Sequence, residues 1–202
     1  MKISLIGLGK LGYPMAEFLS SSALSINCYD KNEKLVLDLI NGRNYLEFEN
    51  GLRNYINNGN KLNFHLKIQD CLKGSSIVFI TVPTPSNKDG SFSNKYIIEV
   101  LDEISTYLKK NKQENPYLIN INSTVSPGSI KKYFIPYLEN KGLKNTEDFA
   151  LIYNPYFVAL SLNLFGGSII GSSDKTKVPQ CIPITFLLLK SLATLKPSSG
   201  LV

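Results

Sequence analysis

Three glycines near the first residue limit the possible folds of this sequence more than any other part of it. Gly7, Gly9 and Gly12 form the pattern G-x-G-x-x-G, directly between a short apolar run over 3–6 and a helical pattern over 11–20. The first glycine permits a sharp turn, and the second lacks the Cβ atom that would collide with a pyrophosphate. The third allows a helix to pack closely on a strand. The pattern predicts a strand, a phosphate-binding turn and a helix.

A carboxylate further along the chain adds a second sign of a dinucleotide site. The amides of Leu8, Lys10 and Leu11 and the positive end of the helix dipole are expected to face the phosphates. Asp30 ends the second predicted strand, close to the distance of roughly 20 residues expected of the acid that binds the adenosine ribose. Because a carboxylate there repels a 2′-phosphate, the residues predict NAD rather than NADP. The alternative is that Asp30 is only a helix N-cap.

Strand and helix patterns alternate along most of the chain. Strands are predicted over 3–6, 25–29, 64–68, 77–82, 117–121 and 149–153, and helices over 11–20, 34–41, 95–108 and 126–140. Ser126 followed by Pro127 is typical of an N-cap with proline at the first helical position. Because parallel crossovers place helices outside a sheet, we predict an α/β fold: a doubly wound, mostly parallel, Rossmann-like sheet with helices on both faces.

Two later strand ends carry hydroxyl groups toward the edge where such sheets bind ligands. Val82, Thr84 and Pro85 leave the fourth predicted strand, where stiffened backbone and the threonine hydroxyl can line the nicotinamide side of a cleft. Ser123 and Thr124 leave the fifth strand, with hydroxyls able to position a water or a cofactor amide. The alternatives are that the prolines only terminate a strand and that the Ser-Thr pair only caps the chain.

Composition argues against several other functions. The net charge of +6 comes from 22 basic and 16 acidic residues, but the lysines are scattered and only Arg43 and Arg53 are arginines, which argues against base reading. Three separated cysteines and the single histidine, His65, form neither a metal pattern nor a disulfide framework. No apolar run approaches the roughly 20 residues that span a bilayer. We expect a cytoplasmic protein without signal peptide, membrane segment, metal or nucleic-acid partner.

Five landmarks in order give the sequence a resemblance to a known family. They are the glycine loop with Asp30, Glu49-Asn50-Gly51-Leu52, Val82-Pro83-Thr84-Pro85 with Asp89-Gly90, Ser123-Thr124-Val125 with Pro127-Gly128, and Asn154-Pro155-Tyr156-Phe157. Over about residues 1–171 the chain resembles the N-terminal, NAD-binding domain of the nucleotide-sugar dehydrogenases, the family of UDP-glucose and GDP-mannose 6-dehydrogenases.

The resemblance implies a reaction, a domain plan and residue roles. Members oxidise the C6 hydroxyl of a UDP- or GDP-sugar with NAD, through a thioester on a cysteine in a C-terminal domain beyond a long central helix. Residues 1–176 would be the NAD-binding domain and 177–202 a tail without an assigned fold. With the central helix and C-terminal domain absent, we expect a truncated chain that is inactive alone. By resemblance Thr124 contacts the cofactor and positions a water, which is a supporting catalytic role. The family has a basic residue near the adenine ribose at the position that Leu35 occupies here, and the adjacent Lys34 could substitute for it.

Departures from the family pattern keep other functions open. Tyr156 and Leu160 stand where the family has two acidic residues that handle cofactor and substrate, and Cys181 lies outside any matching motif. One alternative is a non-catalytic nucleotide-binding or interaction module. Another is half of a split enzyme, completed by a C-terminal half or assembled as a homo-oligomer. A third, a small hydroxyacid dehydrogenase, would need Lys190 as its base.

Overall fold

A six-stranded parallel sheet forms the centre of the computed structural model, which describes residues 2–20, 24–42 and 62–155. The strands are β1 (Lys2–Ile6), β2 (Ser25–Tyr29), β3 (Leu62–His65), β4 (Ile77–Ile80), β5 (Tyr117–Ile121) and β6 (Phe149–Tyr153). Their order is β3-β2-β1-β4-β5-β6, and every neighbouring pair is parallel. The chain first builds outward from β1 on one side and then outward from β4 on the other, which confirms the doubly wound arrangement.

Helices cover both faces of this sheet. They are α1 (Gly12–Ser20), α2 (Glu33–Ile40), α3 (Ile68–Leu72), α4 (Lys95–Lys110) and α5 (Ile135–Asn140), the last preceded by a π-helical turn over Ile130–Phe134. The last three share one apolar core with Val78, Ile80, Ile119 and Ile121 of the sheet. Successive strand side chains point to opposite faces, so Leu5 and Phe79 lie on the other face, where α1 and α2 bury their apolar stripes.

The register of the central strands places three chain segments side by side at one edge. Ile6 of β1 lies opposite Tyr29 of β2 and Ile80 of β4. The residues that follow these positions are Gly7, Asp30 and Thr81. Because parallel strands end at the same edge, the glycine turn emerges between the ends of its two neighbours.

The third predicted strand was placed wrongly. Strand β3 ends at His65, and Ile68, expected as its last residue, begins helix α3. The strand predicted over 64–68 does not continue beyond His65, and Leu66 is 47% exposed. Ile68, Cys71 and Leu72 are buried at helical spacing instead. The buried residues from Ile68 onward thus follow the spacing of a helix and not the alternation of a strand.

The helix expected from Ser126 also begins later. Gly128 has a φ of +81°, which interrupts a right-handed helix, and the helical turns start at Ile130. The Ser126 hydroxyl does not cap them, because it accepts the amide hydrogen of Phe92 at 3.1 Å. The sequence 126–128 is thus a turn that ties the loop after β5 to the loop after β4.

Two smaller findings complete the fold. Strand β4 ends at Ile80, two residues earlier than predicted, and the chain then forms a small hairpin closed by an antiparallel bridge between Ser86 and Phe92. Among the helices that the described residues form, none combines the length and apolar character needed to cross a membrane. The expectations for Tyr156, Leu160, Cys181 and the segment 177–202 lie outside the described residues.

Candidate functional site

The first glycine of the loop has a backbone conformation that is unfavourable for residues with a side chain. Gly7 has a φ of +97°, and its amide donates to the Tyr29 carbonyl at 2.9 Å. A Cβ atom at Gly7 would stand 2.5 Å from the carbonyl oxygen of Thr81. Both the backbone conformation and the close approach of β4 therefore require glycine here.

The other two glycines face opposite surroundings. A Cβ atom at Gly12 would collide with the Gly7 carbonyl and would lie 2.5 Å from the Thr81 hydroxyl oxygen, so this glycine allows α1 to start against the turn. At Gly9 no heavy atom of the described residues lies within 4 Å of the corresponding position. The open space at Gly9 fits the close approach of a ligand such as a diphosphate, which a side chain would hinder.

Backbone amides at the start of α1 are available to an anion. Among the described residues, no acceptor takes a hydrogen bond from the amides of Gly9, Lys10 and Leu11. They immediately precede the nine-residue helix α1, whose dipole is positive at this end. The side chain of Lys10 is exposed beside them, and that of Leu11 is half-buried. Together with the space at Gly9, these donors suit the pyrophosphate of a dinucleotide.

Leu8 differs from its neighbours in the loop. Its side chain is fully buried, and its amide donates to Asp30 Oδ2 at 2.7 Å. The sequence predicted a free amide here, but the structure uses it to join the glycine loop to the end of β2.

The Asp30 carboxylate binds backbone amides of two segments, the glycine loop and the turn before α2. Its Oδ2 accepts from Leu8, and its Oδ1 accepts from the amide of Asn32 at 2.8 Å. The N-cap of α2 is Asn32, whose side chain accepts from Leu35, so the alternative of Asp30 as an N-cap is wrong. Lys34 is exposed in the first turn of α2. The half-buried carboxylate keeps further lone pairs that can accept hydroxyl hydrogens.

The residues after β4 line the same edge. Val82 and Thr84 are half-buried and Pro85 is exposed. The carbonyl of Pro85 accepts the Ser93 amide at 2.9 Å, which anchors the base of the small hairpin. The Thr84 side chain is thus held on an ordered loop at the carboxyl end of the sheet.

The two hydroxyl residues after β5 have different surroundings. Ser123 is 5% exposed and donates its hydroxyl hydrogen to the Val82 carbonyl at 2.7 Å. It ties the two loops together, which favours the structural role for this residue. Thr124, in contrast, is exposed at the edge. Of the two hydroxyls, that of Thr124 is therefore the one open to a ligand or a water.

The predicted site residues do not include two further polar residues that lie at this edge. Thr81 directs its hydroxyl at the carbonyl of Gly7, at 2.6 Å, and at that of Ile6, at 3.1 Å. Asn122 is buried and donates through Nδ2 to the Asn154 carbonyl at 2.7 Å. A hydroxyl residue directly after β4 indicates a contact with the glycine turn only once β4 is known to lie beside β1, and the structure supplies that pairing.

Other reactive side chains of the described residues do not join this edge. His65 lies opposite Tyr29 in the ladder of β2 and β3, and partial burial lowers its pKa. Cys28 and Cys71 are buried free thiols, and burial raises the pKa of Cys71 to about 12 and that of Cys28 as well. In the part of the chain that the structure covers, no group of three or more His, Cys, Asp or Glu residues could hold a metal ion.

Comparisons with known proteins agree with this geometry. The chain is 32% identical over 162 residues to the GDP-mannose 6-dehydrogenase of Pseudomonas putida, covering 78% of this chain and 36% of that protein. It is 32% identical over 161 residues to the UDP-glucose 6-dehydrogenase of Rickettsia bellii, covering 78% of this chain and 35% of that protein. The chain thus spans just over a third of the length of these curated relatives.

A solved structure and a family model extend the comparison. A ternary complex of GDP-mannose dehydrogenase from Pseudomonas aeruginosa superposes with a TM-score of 0.70 at 28% identity, over 79% of this chain and 37% of that one. The model of the UDP-glucose/GDP-mannose dehydrogenase family, NAD binding domain, matches residues 1–165. A matched segment of this extent, carried on the sheet and glycine turn described above, establishes that the chain belongs to the UDP-glucose/GDP-mannose dehydrogenase family and carries its NAD-binding domain.

Proposed function

We propose that the carboxyl edge of β1, β2, β4 and β5 binds NAD in an extended orientation, from Asp30 at one end to Thr124 at the other. The observation that carries this proposal is the row of amides at Gly9, Lys10 and Leu11, which donate to no acceptor of the described residues, beside the open space at Gly9. Amides at a helix start, with no side chain in front of them, suit a diphosphate. When bound, NAD supplies a hydride acceptor.

Each predicted residue has a role consistent with its place. Gly7 and Gly12 set the turn and the helix start, while Gly9 and the amides of Lys10 and Leu11 hold the pyrophosphate. Leu8 acts through its bond to Asp30, and Asp30 accepts the adenosine ribose hydroxyls, with Lys34 nearby on α2. Val82, Thr84, Pro85, Ser123 and Thr124 form the nicotinamide end of the site, where Thr124 has the exposed hydroxyl.

We propose a nucleotide sugar, a UDP- or GDP-sugar oxidised at C6, as the substrate of the complete reaction. The support is the family and the names of the relatives, which are GDP-mannose and UDP-glucose 6-dehydrogenases. The 202-residue chain by itself is proposed to bind NAD without turnover. A thioester needs a thiolate, whereas the two cysteines of the described residues, Cys28 and Cys71, are buried with raised pKa values. These buried thiols also suit the reducing cytoplasm, which we propose as its location.

Calorimetric titration tests cofactor binding and its dependence on Asp30. We expect the full chain to bind NAD more tightly than NADP. The Asp30→Ala variant should lose about tenfold in NAD affinity, because it removes a charged acceptor. Asp70→Ala, which removes an exposed carboxylate on α3, is the matched control and should bind as the wild type does. Tighter binding of NADP than of NAD by the wild type would contradict the role of Asp30.

A turnover assay separates the alternatives. NADH should not accumulate when the chain is mixed with NAD and either UDP-glucose or GDP-mannose. Turnover that appears only after addition of the remaining polypeptide of a relative would favour half of a split enzyme. Turnover by the chain alone would contradict the proposal that it is inactive by itself.

A further inference from the structure

We propose that Thr81 is a positioning residue that sets the phosphate-binding turn and Asp30 together, by clamping the single peptide unit between Gly7 and Leu8. This inference rests on the proposed NAD site and concerns how that site is held in shape. It begins from a pair of hydrogen bonds on opposite sides of one peptide plane.

The Gly7 carbonyl and the Leu8 amide belong to the same trans peptide, since the described residues contain no cis bond, and they point in opposite directions. The Thr81 hydroxyl donates to the carbonyl at 2.6 Å, and Asp30 Oδ2 accepts from the amide at 2.7 Å. The residue that follows β4 therefore holds one side of the plane, and the residue that follows β2 holds the other.

Rotation of this plane would alter both functional elements that adjoin it. The plane sets ψ of Gly7 and φ of Leu8, so it fixes the direction in which the free amides of the following residues point. It also fixes one oxygen of the Asp30 carboxylate, which leaves the second oxygen bonded to Asn32. A change at Thr81 is therefore transmitted to Asp30 without any contact between the two side chains.

The packing around Thr81 explains why its hydroxyl is held in place. Cβ atoms at Gly7 and at Gly12 would lie 3.1 Å and 2.5 Å from its hydroxyl oxygen, so both glycines leave room for that oxygen. Its amide also donates to the Ile6 carbonyl at 2.8 Å, which fixes its backbone. Among the described residues, the Thr81 hydroxyl is the donor to the Gly7 carbonyl.

The test uses the full chain and three substitutions. Thr81→Val keeps the branched shape and removes the donor, whereas Thr81→Ser keeps the donor and removes a methyl group. Thr106→Val changes an exposed threonine on α4 and is the matched control. We expect about tenfold weaker NAD binding for Thr81→Val, a change within about twofold for Thr81→Ser, and none for Thr106→Val.

A double-mutant cycle distinguishes the clamp from simple structural support. If both residues act through one peptide, Thr81→Val should cost less than about threefold in NAD affinity in the Asp30→Ala background. A full tenfold loss in that background would show that Thr81 acts independently, and would overturn the proposal. Binding by Thr81→Ser as weak as by Thr81→Val would overturn it too.

Hydrogen exchange of the Leu8 amide, followed by NMR without cofactor, provides a readout that does not depend on NAD binding. Exchange should be at least about tenfold faster in Thr81→Val than in Thr81→Ser and the wild type, because the Leu8 amide loses its fixed orientation. Equal rates in all three would overturn the clamp. If the wild type binds no NAD, the proposed function fails, and the exchange rates alone decide the clamp.

Discussion

The two flanks of the sheet edge use their polar groups in different ways. On the flank formed by the glycine loop and β2, the groups that shape the loop are paired, as Leu8 is with Asp30, and the unpaired amides stand at the open space near Gly9. On the flank formed by the end of β5, unpaired polar atoms are buried. Asn120 is 1% exposed, and within the described part of the chain neither its amide nitrogen nor its amide oxygen has a hydrogen-bond partner.

This difference shows where the structure is prepared for a ligand and where it carries a cost. An exposed backbone amide is hydrated until an anion replaces the water, so leaving it without a protein acceptor costs the folded state little free energy. A buried amide side chain without partners costs about 1–3 kcal/mol. Asn122 is an intermediate case: it donates to the Asn154 carbonyl, but its Oδ1 has no partner within residues 2–20, 24–42 and 62–155.

The largest expected effect on stability comes from adding a methyl group at Gly12, the glycine of the loop where α1 packs against the turn. Gly12→Ala places a methyl group against the Gly7 carbonyl, and we expect a loss of about 3 kcal/mol or more in the free energy of unfolding. Gly9→Ala meets open space and should leave this free energy within about 0.5 kcal/mol, while weakening NAD binding. Urea denaturation and calorimetry measure both quantities. Equal destabilisation by the two variants would contradict the assignment of separate roles.

A medium effect is expected from removing the unpaired amide of the β5 flank. Asn120→Val should raise the free energy of unfolding by about 1–3 kcal/mol, because two buried polar atoms are replaced by apolar ones. Asn122→Val should give no such gain, since it also loses the bond to Asn154. Urea denaturation of both variants provides the comparison. A loss of stability in Asn120→Val would show that the buried amide has a partner in solution, and the contrast between the flanks would disappear.

The smallest effect concerns Glu17, the acidic residue of α1. Most polar groups on this side of the sheet edge are hydrogen-bonded, whereas one oxygen of this carboxylate is not. Glu17 is 3% exposed, and its Oε1 has no hydrogen-bond partner among the residues that the structure describes. Burial raises the pKa of Glu17, while a hydrogen bond from Tyr13 acts in the opposite direction. The folded chain therefore binds the Glu17 proton more tightly than the unfolded chain does. The stability that the protonated carboxyl contributes is fully present below the unfolded pKa of 4.5, and it is lost as pH rises through the raised pKa of the folded state.

Glu17→Gln should therefore be more stable than the wild type at neutral pH, by about 1 kcal/mol or less, and this advantage should vanish in acid. Thermal unfolding measured across this pH range tests the expectation. Glu114→Gln, at an exposed site, is the control and should follow the wild type throughout. A constant difference at every pH would assign the effect to packing rather than to the charge.

Much of the fold could be predicted from the sequence because it depends on local patterns. The apolar runs of β1, β2 and β5 and the helical stripe of α4 fall where they were expected, and the three glycines marked the turn. The site residues Gly7, Asp30 and Thr84 could be named because strand ends in a parallel sheet share one edge.

The remaining features depend on contacts that local patterns do not show. Leu66 lies in the segment predicted as a strand, but it is exposed to solvent and β3 ends before it, so the predicted end of β3 was wrong. Ser126 looked like a helix cap, but its hydroxyl meets Phe92, which is distant in sequence. The roles of Thr81 and Asn120 follow from which strands become neighbours, and a single sequence does not reveal a pairing between distant segments.

The bonds from Thr81 to Ile6 and Gly7 link residues separated by 75 and 74 positions. During synthesis, the ribosome releases β1 and its glycines long before the strand that must flank them exists. Through that interval β1 lacks its neighbour β4, so the edge of β1 that β4 covers in the folded sheet has no native partner. The hydrogen bonds from Thr81 that hold the glycine turn can therefore form only after β4 has emerged from the ribosome.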